Sequence, residues 1–139
     1  MSPDDMLTFM PFARAAGVEL IAARKDEVVG RLSWAAERTT AGGMLHGGAI
    51  MTLADSTGAV CAFLNLPDGA RTSTISSSTV FTGAVRSGAV TATSTPLHVG
   101  RTTIAVRTDL ADDSGRYVAH VTQIQAVLMN GGGVAGSEG

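Results

Sequence analysis

The sequence predicts an α+β chain in which one antiparallel sheet of about six strands wraps a single long helix. Three observations predict it. From His46 to Leu64 the residues are apolar or small on nearly every side, with no break before Asn65-Leu66-Pro67-Asp68-Gly69. A helix that is apolar all round is normally a buried one. On both sides of it, apolar and polar residues alternate with period two, as in Val28, Gly30, Leu32 and Trp34 against Val29, Arg31 and Ser33. Turn signals then recur with no helical pattern between them, which points to an antiparallel meander.

The elements follow in order. Ser2-Pro3-Asp4-Asp5 has a capping serine, an early proline and acids near the positive end of a helix dipole. It predicts a short helix over Pro3–Ala16, with Met6, Phe9, Met10 and Ala13 on one face and Gly17 ending it. Val18–Ala22 and Glu27–Trp34 read as two strands joined by a polar turn, followed by a loop from Ala35 to Leu45. After the long helix come strands at Arg71–Thr82, Ala89–Val99, Thr102–Leu110 and Arg116–Leu128. Gly88, Gly100 and Asp112-Asp113-Ser114-Gly115 mark the turns. Residues 1–129 read as one domain, and the Gly-rich segment 130–139 as a flexible tail.

Composition narrows the function. The chain has 139 residues, 10 basic and 12 acidic, and mean hydropathy is +0.23. Charged residues make up 16%, against about 25% in an average soluble domain. Interface cores are depleted in charge, so the shortage predicts an oligomer. A net charge of −2 offers no electrostatic case for nucleic acid. One cysteine, Cys61, excludes an internal disulfide framework and a cysteine-based zinc site, and it reads as a packing residue. His98 and His120 read as ordinary sheet residues, and the three histidines show no metal-ligand spacing. The opening MSPDDMLTFM is acidic rather than basic, so no secretory signal and a cytoplasmic location are expected. A membrane span is not expected, because Asp55 at the centre of the helix would cost about 2.5–3.5 kcal/mol.

That aspartate is the first chemical signal. From Thr39 to Pro67 it is the only formally charged side chain. Its helical neighbours Met51, Thr52, Gly58 and Ala59 include no cation, so local pairing does not account for it. Either hydroxyls such as Thr52 or Ser56, or a distant arginine, satisfy it, or it has an active-site role. The second signal is His46-Gly47-Gly48 at the helix start. Backbone N–H groups unscreened by side chains can stabilise an oxyanion there. Gly47 and Asp55 lie eight residues apart, about 12 Å along one helix. One carbonyl cannot reach both in the same chain, so a joint role requires two subunits with antiparallel helices. The run Thr72-Ser73-Thr74-Ile75-Ser76-Ser77-Ser78-Thr79 would pass the helix and present hydroxyls to a ligand.

Gly43-Met44-Leu45-His46-Gly47-Gly48-Ala49 leading into Leu53-Ala54-Asp55 resembles the hotdog-fold acyl-CoA thioesterases, of the phenylacetate-degradation and 4-hydroxybenzoyl-CoA thioesterase type. The resemblance runs from about Ala35 to Leu128. It implies a single hotdog domain with a curved sheet, paired into homodimers and often homotetramers, with a homodimer as the minimal active unit. It implies that the substrate is an acyl-CoA thioester, hydrolysed to free acid and coenzyme A with no cofactor and no metal. Asp55 would be nucleophile or general base, and the Gly47 N–H of the facing subunit the oxyanion donor. His46 would shape the turn or bind the thioester oxygen, and Ser73 would orient water or the acid. Gly48, Thr40, Thr82, Gly83, Arg86, Gly100 and Arg101 fall where the family holds substrate and coenzyme A, with Arg86 and Arg101 as the cations nearest its phosphates. Thr40 stands where such proteins often carry Asn or Gln, and Gly83 where many carry Arg. The acyl pocket is expected to be lined by side chains such as Met51, Leu53, Val60 and Ile75. A hotdog-fold hydratase or dehydratase using a His–acid pair, and a non-catalytic acyl-CoA-binding protein, are the alternative readings.

Overall fold

In the computed structural model of the chain, residues 1–129 are described, so the Gly-rich segment 130–139 lies outside them. The elements are α1 (Pro3–Leu7), α2 (Pro11–Ala16), β1 (Glu19–Arg24), β2 (Glu27–Ser33), a single 3-10 turn (Ala36–Arg38), α3 (Gly47–Leu64), β3 (Ala70–Phe81), β4 (Ala89–Val99), β5 (Thr103–Asp112) and β6 (Tyr117–Met129).

The predicted N-terminal helix is two helices. Pro11 has no N–H to donate and disfavours helical backbone at the residue before it, and Met10 adopts φ −128°, ψ 69°. Ser2 caps α1 in a reciprocal pair with Asp5, and Gly17 closes α2 at φ +98°. This break bends the chain across α3, so Met10 and Phe12 face the surface that carries Asp55.

All strand pairs are antiparallel, in the order β1-β2-β4-β5-β6-β3. The run β4-β5-β6 is the expected meander. β3 is not part of it: it follows α3, pairs along its whole length with β6 and forms one edge of the sheet. The chain crosses from β2 to the far edge through the helix, so α3 lies across the sheet and touches all six strands. A sheet wrapped around one helix in this way is the hotdog fold.

The helix is not buried all round. Ile50, Leu53, Ala54, Thr57 and Cys61 face the sheet and are almost inaccessible. Met51, Asp55 and Phe63 are exposed on the opposite side. By length and composition α3 could cross a membrane, but half of it packs inside this structure. The core is completed by Val28 and Leu32 of β2, Val90 and Ala92 of β4, Ile104, Val106 and Leu110 of β5, and Val118 and Val121 of β6. Leu53, expected to line the acyl pocket, is fully buried in this core. Replacing Leu53 by Ala is expected to cost about 2–5 kcal/mol of unfolding free energy, and by Met under about 1.5 kcal/mol, measured by denaturant titration.

Candidate active site

The site is built where the loop before α3 turns into the helix. Gly42 and Gly43 take positive φ angles of +85° and +77°, which let the chain reverse before the helix begins. Three contacts hold this loop. The Trp34 indole N–H donates to the Gly43 carbonyl (2.9 Å), Arg86 Nη1 donates to the Gly42 carbonyl (3.0 Å), and the Leu45 N–H donates to the Val85 carbonyl (2.8 Å).

His46 caps the helix: its Nδ1 accepts the Gly48 N–H at 2.8 Å. An accepting Nδ1 carries no proton, so the imidazole holds its proton on Nε2 when neutral. Gly48 is required for this cap, since a Cβ there would lie 2.9 Å from His46 Nδ1. The cap uses the Gly48 N–H and leaves the one before it. Among the described residues no acceptor meets the Gly47 N–H. The Phe81 ring lies against Gly47, where a Cβ would come within 3.2 Å of it.

Two turns along α3, Asp55 opens into a cavity of about 540 Å³. Its lining includes Met10, Phe12, Met51, Thr52, Ser56 and Ser77. The local hydroxyls do not satisfy the carboxylate. Thr52 Oγ1 donates back to the Gly48 carbonyl and Ser56 Oγ to the Thr52 carbonyl. The donor that reaches it comes from the sheet: Gln123 Nε2 donates to Asp55 Oδ1 at 3.0 Å. Asp55 is exposed in the single chain, yet enough protein surrounds it that desolvation raises its pKa above the ordinary carboxylate value, while the Gln123 bond works in the opposite sense. A second cavity, about 260 Å³ and lined by Met6, Phe9, Met10, Ala59, Val60 and Phe63 among others, lies further along α3 beneath α1. Met10 borders both.

The structure brings together fewer of the expected residues than the sequence reading placed there. Ser73 pairs with Ala126 on the face of β3 away from the helix, and it is exposed. Ser77 lines the Asp55 cavity instead. A bulge between Thr74 and Ser76 shifts the register, so Thr72 and Thr74 face inward before it and Ser77 after it. Thr40 is exposed in the turn before the helix, and its neighbour Thr39 lines the surface near His46. The Thr82 and Gly83 N–H groups both donate to the Val118 carbonyl. Gly83 lies against the guanidinium of Arg116, which is held by Asp112 and the Ala84 carbonyl. Gly100 closes the β4–β5 turn by donating to the Thr103 carbonyl (2.8 Å).

Arg86 and Arg101 flank opposite ends of β4, an 11-residue strand. At roughly 3.3 Å per residue they stand more than about 30 Å apart along one chain. Arg86 lies at the Gly47 end of the helix, through its bond to Gly42. In the acyl-pocket set, Met51 borders the Asp55 cavity and Val60 the apolar one, but Ile75 is exposed at the bulge. Gln123 escaped the sequence reading. A glutamine amid the apolar alternation of β6 is the signal that marks it. Cys61 is buried, and desolvation pushes its thiol up to about 11, in keeping with packing. Among the described residues, no group of three His, Cys, Asp or Glu converges to hold a metal.

The six-stranded sheet wrapped around α3 defines a class, the hotdog proteins, rather than an individual one. The chain belongs to the thioesterase superfamily, which residues 42–119 match. A Vibrio cholerae protein provisionally named an esterase is 37% identical over 76 residues, covering 55% of this chain and 51% of that protein. The match therefore spans about half the length of that relative. Among solved structures, a thioesterase of Haemophilus influenzae superposes with TM-score 0.87 at 21% identity, covering 93% of this chain and 92% of that one. A hypothetical thioesterase protein of Streptococcus pneumoniae, solved with coenzyme A, superposes with TM-score 0.79 at 24% identity, covering 88% and 97%. At these identities the likeness establishes the fold.

The raised pKa of Asp55 has a consequence for stability. Folding favours its protonated form, so the carboxylate subtracts stability once pH rises through the folded-state pKa. Asp55→Asn removes that loss. The variant is expected to melt above the unaltered protein at neutral pH, with the gain vanishing as pH falls below the unfolded carboxylate value, measured by thermal scans across pH.

Proposed function

We propose that this protein hydrolyses an acyl-CoA thioester to the free acid and coenzyme A, using a site completed by two copies of the chain. The observation that carries the reading is the pairing of Asp55 in its cavity with an unengaged Gly47 N–H on the same helix. The family membership supports thioester hydrolysis, and the pneumococcal neighbour solved with coenzyme A supports that carrier.

In the reaction, the Gly47 N–H of one subunit donates to the thioester carbonyl, where negative charge develops. Asp55 of the other acts by one of two routes. As general base it takes a proton from water, and the water oxygen bonds to the carbonyl carbon. The C–S bond then breaks, and the thiolate leaves with the proton that Asp55 accepted. As nucleophile it forms a mixed anhydride, expelling the thiolate, and water then hydrolyses the anhydride. Both routes need Asp55 ionised. A hydratase would need His46 as an acid–base partner to Asp55, but its Nδ1 is engaged by the Gly48 N–H, which leaves only Nε2 for proton transfer.

The case for two copies rests on two exposed surfaces. β3 is a 12-residue edge strand whose only charged residue is Arg71, with Ile75, Val80 and Phe81 exposed. Long uncovered edges of this kind are templates for pairing with another strand. Beside it, the outer face of α3 exposes Met51 and Phe63. A two-fold axis makes an interface isologous. With antiparallel α3 helices and Gly47 facing Asp55, the residue on the axis is Met51, midway between them. In that arrangement the subunit that donates Gly47 also brings its Arg86, and the subunit that donates Asp55 brings Arg101. The separation of the two arginines within one chain then no longer prevents both from reaching one nucleotide.

Asp55→Asn is expected to lower thioesterase kcat by at least about a thousandfold in a screen across short, long and aromatic acyl-CoAs; turnover equal to the unaltered protein would reject the mechanism. The two-chain site has its own test. Gly47→Pro removes the N–H at the first helical position, where proline suits the backbone and His46 already has the extended conformation that precedes it; the proline ring presses on Phe81, which is exposed and can shift. Mixed dimers of Asp55→Ala and Gly47→Pro chains should recover activity, up to about half per dimer, although each parent is inactive. A site contained within one chain would recover none.

A further inference from the structure

Gln123 is fully buried on β6, paired opposite Ser77, and its amide enters a notch in α3 at Gly58. A Cβ on Gly58 would overlap Gln123 Oε1, so no other residue at position 58 leaves room for the amide where it now lies. Glycine in a helix interior weakens the helix, and a buried amide oxygen normally has a partner. Here Gln123 Oε1 has none among the described residues. Gln125, two residues on and facing the same way, has both ends of its amide bonded, to Thr74 and Thr72. Two unfavourable choices therefore meet at one point, and what they produce is the bond from Gln123 Nε2 to Asp55.

Among the described residues, the contact that tells the two ends of the amide apart is the one with Asp55. With Oε1 against Gly58, the NH₂ group is presented to the carboxylate; the flipped amide would set oxygen against oxygen. Among the described residues, no other side chain lining the Asp55 cavity is titratable. The Thr52 and Ser56 hydroxyls are spent on helix carbonyls.

We propose that Gln123, seated by Gly58, is the positioning residue of the reaction: it orients the Asp55 carboxylate and holds it in its ionised, reactive form. The role rests on Asp55 acting as base or nucleophile. Gln123 touches neither substrate nor water in this role, and it acts only through Asp55.

The test is Gln123→Met, which keeps the length of the side chain and loses the donor, beside Gly58→Ala, which displaces the amide while leaving it in the sequence. In both, the rising limb of the pH–kcat profile should move to higher pH, with KM little changed. At pH below the limb, kcat should fall roughly tenfold, the scale of one hydrogen bond to a charged group. Titration of the ¹³C-labelled Asp55 carboxyl, assigned by its loss in Asp55→Asn, should shift in the same direction without any substrate present. An unmoved carboxyl titration in folded Gln123→Met would overturn the proposal. So would a moved titration with an unmoved rate limb. A lack of turnover in the unaltered protein would instead reject the thioesterase reading, and the carboxyl titration would then decide the Gln123–Asp55 coupling alone.

Discussion

Everything in this molecule depends on how α3 divides its surface. One face, through Ile50, Leu53, Ala54, Thr57 and Cys61, is sealed against the sheet and holds the core together. The opposite face carries Met51, Asp55 and Phe63 and has nothing of the same chain covering it completely. An apolar helix with a single carboxylate would be costly to bury whole, since an unpaired charge in a core is strongly disfavoured. Setting Asp55 on the outer face avoids that cost. It leaves the carboxylate partly desolvated, within reach of one donor, and open to a ligand.

The start of the same helix is prepared by a different kind of economy. The Gly42-Gly43 reversal, the Trp34 and Arg86 bonds to its carbonyls, and the Val85 contact fix the loop from three sides. His46 then satisfies the Gly48 N–H and no more. Helix N-termini leave several N–H groups without internal partners, and caps normally satisfy one or two. Here the cap covers one and the ring of Phe81 shields the next, at Gly47, from the side. The result is a donor that is held in position without being consumed.

Much of this was legible along the chain. The isolation of Asp55, the Gly-Gly helix start, the turn glycines and the period-two strands are local patterns, and each element lies within a few residues of where its pattern puts it. What was not legible involves distance. Pro11 splits the first helix, a signal present in the sequence but outweighed there by the apolar spacing on either side. The exchange of Ser73 for Ser77 turns on a bulge, and a one-residue slip reverses every side chain beyond it. Leu53 and Met51 are two residues apart and alike in chemistry, yet one is core and the other surface. Only the direction of the sheet separates them.

By itself, then, the sequence determined which side chains are available: one acid on an apolar helix, glycines at its start, strands on both sides and a low share of charged residues. These follow from propensity, periodicity and the cost of isolated charge, all of which act over a few residues. The tertiary structure alone decided which groups meet. It carried β3 to the far edge beside β6, brought Gln123 through the Gly58 notch to Asp55 across 68 residues of chain, and set Arg86 and Arg101 at opposite ends of β4. The physical reason is that sheet pairing and helix docking are chosen by the burial of whole faces, and a face is a property of the folded chain rather than of any segment of it.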